Sequence, residues 1–329
     1  MSHHQIPFWQ QQLGNAFSNV ADLCRYLELE PSEISVLTTM PDFPLRVPRS
    51  FAARMEKGNP NDPLLKQVLP IEDEYLKLAG FSADPVGDLA AVTEVGVIHK
   101  YHGRALFIMT GSCAINCRYC FRRNFPYSEL QLSKQKQQQA IAYLSSHPEI
   151  SEIILSGGDP LLLANHRLTE LILQLGAIAH LKRIRIHSRL PIVLPARIDE
   201  EFLEVLKQSR KQIVLVVHCN HANELNQEVK IACDAVRAAG ITLLNQSVLL
   251  KGINDSVQEL QALSEKLFDF GILPYYLHLL DKAHGTGHFE VPKHEAVVLI
   301  RQLQKVLPGY LVPKLAQEEA GALAKTLIF

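Results

Sequence analysis

Residues 105–123, ALFIMTGSCAINCRYCFRR, run from a short apolar stretch straight into a loop that carries Cys113, Cys117 and Cys120. The first six residues, ALFIMT, form a continuous apolar run of the kind found in strands buried on both faces. The loop after them has the spacing C-x3-C-x2-C, while the other three of the six cysteines, Cys24, Cys219 and Cys233, are scattered singly. Such clustering reads as a metal site and not as a disulfide framework. Three thiols are one short of the four that close a tetrahedral zinc site or a fully ligated iron-sulfur cluster. A cluster held by three cysteines keeps one iron open to an outside ligand, and catalysis needs an open position. The competing arrangement is a zinc site completed by Cys219, Cys233 or a distant histidine.

Downstream of this loop, short apolar runs alternate with amphipathic stretches. EIILS (152–156), RIRIH (183–187), IVLVVH (213–218), ITLLNQ (241–246) and PYYLHLL (274–280) add five candidate strands to the first. Leu168, Leu171, Ile172 and Leu175 are spaced for one helix face, as are Leu260, Leu263, Leu267 and Phe270. Repeated βα units return the chain to the same edge and so imply a parallel sheet. Six units are fewer than the eight of a closed barrel. The first expectation is therefore a partial, open (β/α)6 TIM-like barrel, with a flat doubly wound sheet equally compatible with the periodicity. Polar residues gather after each strand: Gly157, Gly158 and Asp159, then His187, Ser188 and Arg189, then His218 to His221, Asn245 to Ser247, and Asp281 to His284. That is the layout of an α/β enzyme whose chemistry lies at the carboxyl edge of the strands.

Upstream, Pro31, Pro41, Pro44 and Pro48 interrupt the chain after a helical opening over Val20 to Leu29. The expected division is a mostly helical cap over 1–95, a core over 96–290 and a C-terminal segment over 291–329. With 47% hydrophobic and 20% charged residues and a formal net charge of −1, the composition is that of a globular protein. It offers no global positive field for nucleic acid or an anionic membrane, so a small-molecule substrate is expected. No signal peptide or membrane span is visible, and the expected address is cytoplasmic.

The cysteine spacing, with Tyr119 before the last cysteine, resembles the signature of the radical S-adenosylmethionine superfamily. YHGRALFIMTGSCAINCRYCFRR, SGGDPL, RIRIHSRLPIVLPARI, HCNHANEL and NQSVLLKGIND together resemble the lysine 2,3-aminomutase family, from about residue 95 to the C-terminus. The ending GYLVPKLAQEEAGALAK (309–325) is similar to the bacterial branch of that family that makes (R)-β-lysine for modifying elongation factor P.

The resemblance implies three cofactors: a [4Fe-4S] cluster on Cys113, Cys117 and Cys120, S-adenosyl-L-methionine, and pyridoxal 5′-phosphate. Gly157, Gly158 and Asp159 match the segment that takes the methionine ammonium, with Ser188, Arg189 and His218 as further contacts. Lys325 matches the lysine that carries pyridoxal phosphate, although only Gly321 remains of the glycine-rich run that precedes it in the family; Lys314 is the competitor. Arg104 matches the arginine that pairs with the cofactor phosphate, and a guanidinium fork suits that dianion. Tyr101 and Gln246 match neighbouring positions. Arg122 matches the arginine that holds the substrate carboxylate. Asp281 and Glu318 match the two acids that receive the distal ammonium, Glu318 replacing an aspartate. An acidic pair suits a cationic substrate and repels glutamate.

The implied reaction is the conversion of L-α-lysine to (R)-β-lysine through a pyridoxal aldimine and a 5′-deoxyadenosyl radical, with a flavodoxin- or ferredoxin-like electron donor. Elongation factor P and its lysyl-transferring enzyme would be functional partners. Another cationic amino acid as substrate and a non-catalytic, metal-bound adaptor of translation are the alternatives. Since the chain lacks the C-terminal cysteine segment found in some relatives, no structural zinc is expected.

Overall fold

The computed structural model describes residues 6–30, 36–37, 42–94, 97–130 and 133–329; Pro31, Pro41 and the expected boundary at Val95 lie outside these. Its strands form a single sheet in chain order. β1 (Val92–Glu94), β2 (Val97–Tyr101) and β3 (Arg104–Ile108) form an antiparallel meander. From β3 onward, β4 (Glu152–Ser156), β5 (Arg183–Ser188), β6 (Gln212–His218), β7 (Thr242–Val248), β8 (Leu273–His278) and β9 (Lys314–Gln317) run parallel. β10 (Thr326–Leu327) then turns back antiparallel on β9. Among the described residues β1 and β10 stay unpaired with each other, so the sheet is an open, partial barrel.

The six expected strands are β3 to β8. The count of six misses β9, which joins the sheet after the helix Lys293–Val306. It is only four residues long with two buried apolar side chains, Leu315 and Ala316, too little to show a period.

Helices cross between the parallel strands, and their starts are written locally. Ser133, Asp199, Asn226 and Ser256 each accept a hydrogen bond from the backbone N–H three residues on. Each such cap contributes about 1 kcal/mol. Leu168, Leu171, Ile172 and Leu175 lie on one face of the helix Asn165–Ala177 and are buried against the sheet. Burying each of these leucine-sized side chains stabilises the fold by roughly 2 kcal/mol.

The N-terminal region has short helices at Phe8–Gly14, Val20–Tyr26, Arg49–Ala52 and Pro63–Lys66, the second ending earlier than the expected Leu29. Leu23, Phe51, Leu64 and Leu65 share the hydrophobic core of the sheet. Backbone hydrogen bonds from Asn116 to Arg46 (3.0 Å) and from Arg118 to Gln67 (2.8 Å) hold the cysteine loop against this region. Among the described residues, no helix is long and apolar enough to cross a membrane.

Candidate active site

The carboxyl ends of β4 to β8 surround a cavity of about 460 Å³, to which they contribute Ser156, Ser188, His218, Val248 and His278. Every residue matched above to the cluster, cofactor and substrate positions lines it, from Cys113, Cys117 and Cys120 at one side to Asp281, Glu318 and Lys325 at another. Lys314, the competing lysine, is on β9 and does not line it. Nor do Cys24, Cys219 and Cys233, which are buried in the core.

The two glycines of SGGDPL are required by the path of the cysteine loop. Gly157 has φ +114°, and a Cβ there would stand 2.8 Å from the Thr110 oxygen. At Gly158 a Cβ would stand 2.1 Å from the Ser112 oxygen. Only glycine permits this approach. The amides of Gly158 and Asp159 donate to the carbonyls of Thr110 (2.7 Å) and Ser112 (2.8 Å), so the strand end supports the loop through its backbone.

Asp159, expected to offer its carboxylate to an ammonium, is engaged within the protein. Its oxygens accept from the Ser188 hydroxyl (2.7 Å) and from the amides of Leu161 (3.1 Å), Arg189 (2.8 Å) and Leu190 (3.1 Å). Burial pushes this carboxyl up to about 6 against those hydrogen bonds. The carboxylate thus ties the end of β4 to the turn after β5.

The cysteine loop is braced by charge as well. Glu74, fully buried, accepts from Arg118 Nε (2.8 Å) and Arg123 Nη2 (2.6 Å). Arg189 donates from Nη2 to Gln67 (2.6 Å) and Glu224 (3.1 Å) and brings Nη1 to the sulfur of Cys117. Burial first, then the neighbouring thiols, push Cys113 well above its ordinary value and Cys120 up to about 11. Crowded thiols of this kind favour a cationic partner once they ionise.

On the opposite side a chain of alternating charges runs from Arg122 to Lys325. Arg122 meets Asp88 through Nε and Nη2, both at 2.8 Å. Asp88 meets Lys100 at 2.6 Å, Lys100 meets Glu318 at 3.0 Å, and Glu318 meets Lys325 at 3.0 Å. Burial opposes ionisation of Glu318, but Lys325 and Lys100 outweigh it and hold the carboxyl down at about 2. Asp281 differs: burial, then the charge of Glu318, push its carboxyl up to about 7. Among the described residues its carboxylate has no hydrogen-bond or ion-pair partner. The two expected acids are therefore unequal, one already neutralised by two ammonium groups and the other unpaired.

Asp88 and Lys100 have no counterpart in the motifs, because they belong to the segments around the antiparallel strands that precede the βα series. Three histidines complete the wall. Burial holds His187 and His278 well below their ordinary value and His218 down at about 3, so all three are neutral. His218 pairs with Gln246 at 2.8 Å, whereas Nε2 of His187 and of His278 are buried without a partner among the described residues. Arg104 lies over the Tyr101 ring at 4.7 Å.

These features fit the implied groups. Three free thiols on one loop, with a guanidinium at one sulfur, fit an iron-sulfur cluster; among the described residues no set of ligands converges on a single metal ion. An amine, a guanidinium and unpartnered imidazole nitrogens around one cavity fit an anionic aromatic cofactor.

Residues 107–263 match the model of the Radical SAM superfamily. The L-lysine 2,3-aminomutase of Escherichia coli is 51% identical over 97% of this chain and 93% of its own length. That of Haemophilus influenzae is 48% identical over 97% and 95%. The chain belongs to the L-lysine 2,3-aminomutase family. Its more distant relatives include the Clostridium subterminale L-lysine 2,3-aminomutase, 33% identical over 97% of this chain and 77% of that protein. Family membership makes the chain an isomerase built on the radical SAM fold. Among solved structures, a radical SAM methyltransferase from Sphaerobacter thermophilus aligns over 67% of this chain and 68% of that one, at 15% identity and a TM-score of 0.49. A likeness that weak adds nothing to the assignment.

Proposed function

We propose that the chain moves the amino group of L-lysine from Cα to Cβ, giving (R)-β-lysine. One observation carries the reading: a single cavity is lined by the three thiols, by Lys325 and Arg122, and by Asp281, a carboxylate without a partner among the described residues. When bound, the cluster with S-adenosylmethionine would supply the radical that takes a hydrogen atom from Cβ, and pyridoxal phosphate would supply the conjugated carbonyl carbon that carries the amino nitrogen while it passes from Cα to Cβ.

The residues divide the remaining work. Cys113, Cys117 and Cys120 hold the cluster, and the backbone of Gly157 and Gly158 keeps their loop in place. Ser188, Arg189 and His218 lie on the S-adenosylmethionine side. Lys325 holds pyridoxal phosphate through Nζ, Arg104 faces its phosphate, and Tyr101 and Gln246 flank it. Arg122 orients the substrate carboxylate, and Asp281 takes the distal ammonium, an otherwise costly charge to bury. His187, His218 and His278, held neutral by burial, keep that part of the cavity wall free of charge. The cap over 1–95, the core over 96–290 and the lysine-bearing segment over 291–329 are parts of this proposal, as is a flavodoxin- or ferredoxin-like electron donor.

Delivery of β-lysine to elongation factor P is supported by the GYLVPKLAQEEAGALAK resemblance. The test of the whole reading is anaerobic reconstitution with iron, sulfide, pyridoxal phosphate and S-adenosylmethionine, reduction of the cluster with dithionite, and chiral analysis of the product from L-lysine. (R)-β-Lysine is the expected product. Turnover of ornithine or arginine with none of lysine would overturn it.

A further inference from the structure

We propose that Glu318, steered by Lys100, is the docking partner of the Lys325 amine whenever that amine is not bonded to pyridoxal phosphate, and that the distal ammonium of the substrate is left to Asp281 alone. The proposal rests on the reading that Lys325 carries the cofactor and that lysine is the substrate.

The contact between Glu318 and Lys325 is built by the backbone. β9 and β10 pair antiparallel with Gln317 opposite Thr326 and Ala316 opposite Leu327. Continuing that ladder by one residue sets 318 opposite 325, and cross-strand neighbours interact directly. Glu318 Oε2 accepts from Lys325 Nζ at 3.0 Å. Its other oxygen accepts from Lys100 Nζ at 3.0 Å, and Lys100 is itself fixed by Asp88 (2.6 Å) and by the Val86 carbonyl (2.7 Å). Both carboxylate oxygens are thereby occupied by ammonium groups. A substrate ammonium could bind Glu318 only by displacing one of them, and Asp281 carries no such competitor.

The chemistry gives this docking a purpose. When the substrate arrives, its α-nitrogen forms the bond to the cofactor carbon and the bond from that carbon to Lys325 Nζ breaks. Starting from a protonated imine, two protons leave the substrate ammonium and two end on Lys325 Nζ, so one imine cation and one ammonium stand on each side and atoms and charge balance. Lys325 then carries a positive charge in a largely buried wall of the cavity, in the same cavity as a second cation at the far end of the substrate. A carboxylate held in place by Lys100 receives that charge and keeps the amine from recapturing the cofactor. Lys100 acts here as a positioning residue.

The experiment uses full-length protein loaded with pyridoxal phosphate, without S-adenosylmethionine or reductant. It is titrated with L-lysine and with L-norleucine, which lacks the distal amine, and the absorbance of the bound cofactor is followed. Asp281→Asn is expected to weaken lysine by roughly tenfold or more and leave norleucine unchanged. Glu318→Gln is expected to weaken both amino acids by the same factor, several-fold, because the released amine has lost its dock. Lys100→Met should act in the same sense as Glu318→Gln, and it serves the same comparison if the glutamine variant does not fold. A Glu318→Gln protein that loses lysine but keeps norleucine, or that binds both as the unmodified protein does, overturns the proposal. If the unmodified protein shows no bound-cofactor absorbance, the reading beneath it fails too. That result is distinct from a normal exchange with the wrong pattern among variants.

Discussion

Arg189 Nη1 lies 2.6 Å from the sulfur of Cys117, and the same guanidinium is held from behind by Gln67 and Glu224. A residue in the N-terminal region and one after β6 therefore hold the guanidinium that follows β5 against a single cysteine. A cationic donor at a ligand sulfur favours the more negative, reduced form of a cluster. Arg189→Met is expected to lower the reduction potential of the reconstituted cluster, measured by spectroelectrochemical titration. It should also cost about 3 kcal/mol in urea unfolding, since Glu224 loses a buried partner. An unchanged potential would separate the guanidinium from the cluster.

Gly158→Ala places a methyl group 2.1 Å from the Ser112 carbonyl oxygen. Two backbone segments cannot yield to it as a flexible side chain could, so the cysteine loop must shift. The expected outcome is a loss of at least about 2 kcal/mol in stability together with reduced iron content after reconstitution. Gly309→Ala meets nothing within 4 Å and is the control, expected to stay within about 0.5 kcal/mol. Equal effects in the two variants would remove the steric argument.

Glu74 neutralises two arginines of the cysteine loop at once. Glu74→Gln keeps the shape but removes the charge that the fully buried Arg118 and the neighbouring Arg123 share. The expected cost is about 3–5 kcal/mol, read from denaturant unfolding. Glu28→Gln, which affects only an exposed pair with Lys57, should change stability by less than about 1 kcal/mol.

Asp281 has its carboxyl pushed up to about 7 by burial and then by Glu318. A carboxyl whose folded-state value lies above its unfolded value of about 4 binds its proton more tightly when folded. Its contribution to stability is therefore greatest below about pH 4 and declines as pH rises to 7. Asp281→Asn should remove that declining limb. Lysine binding should show the opposite trend, with KM falling as pH rises through about 7 and the ionised carboxylate becomes available. A KM profile identical in Asp281→Asn would disconnect this acid from the substrate.

Much of the site was legible in the chain itself. The cysteine loop, the glycine pair and the polar strand ends were visible because each is a local pattern placed by the βα rhythm. Legibility ended at contacts between distant segments. Asp88 and Lys100 follow no motif, and nothing local signals that they lie beside Glu318 and Lys325. Asp159 is expected from the sequence to meet an ammonium, and it lines the cavity. That its oxygens serve the turn after β5 depends on Ser188, Arg189 and Leu190 arriving from the neighbouring strand.

By itself, the sequence determined the parallel βα order and the three-thiol loop leaving the first parallel strand; Lys325, Arg104, Arg122, Asp281 and Glu318 are singled out only by the family resemblance. Apolar periodicity and ligand spacing are properties of short stretches of backbone. Only the tertiary structure decided how the charges pair. It joined Arg122, Asp88, Lys100, Glu318 and Lys325 into one alternating chain and left Asp281 outside it, because the antiparallel strands at the two edges of the barrel bring residues more than 200 positions apart to within hydrogen-bond distance. Ion pairing depends on distance through space and on burial, and neither is written in the spacing of residues along a chain.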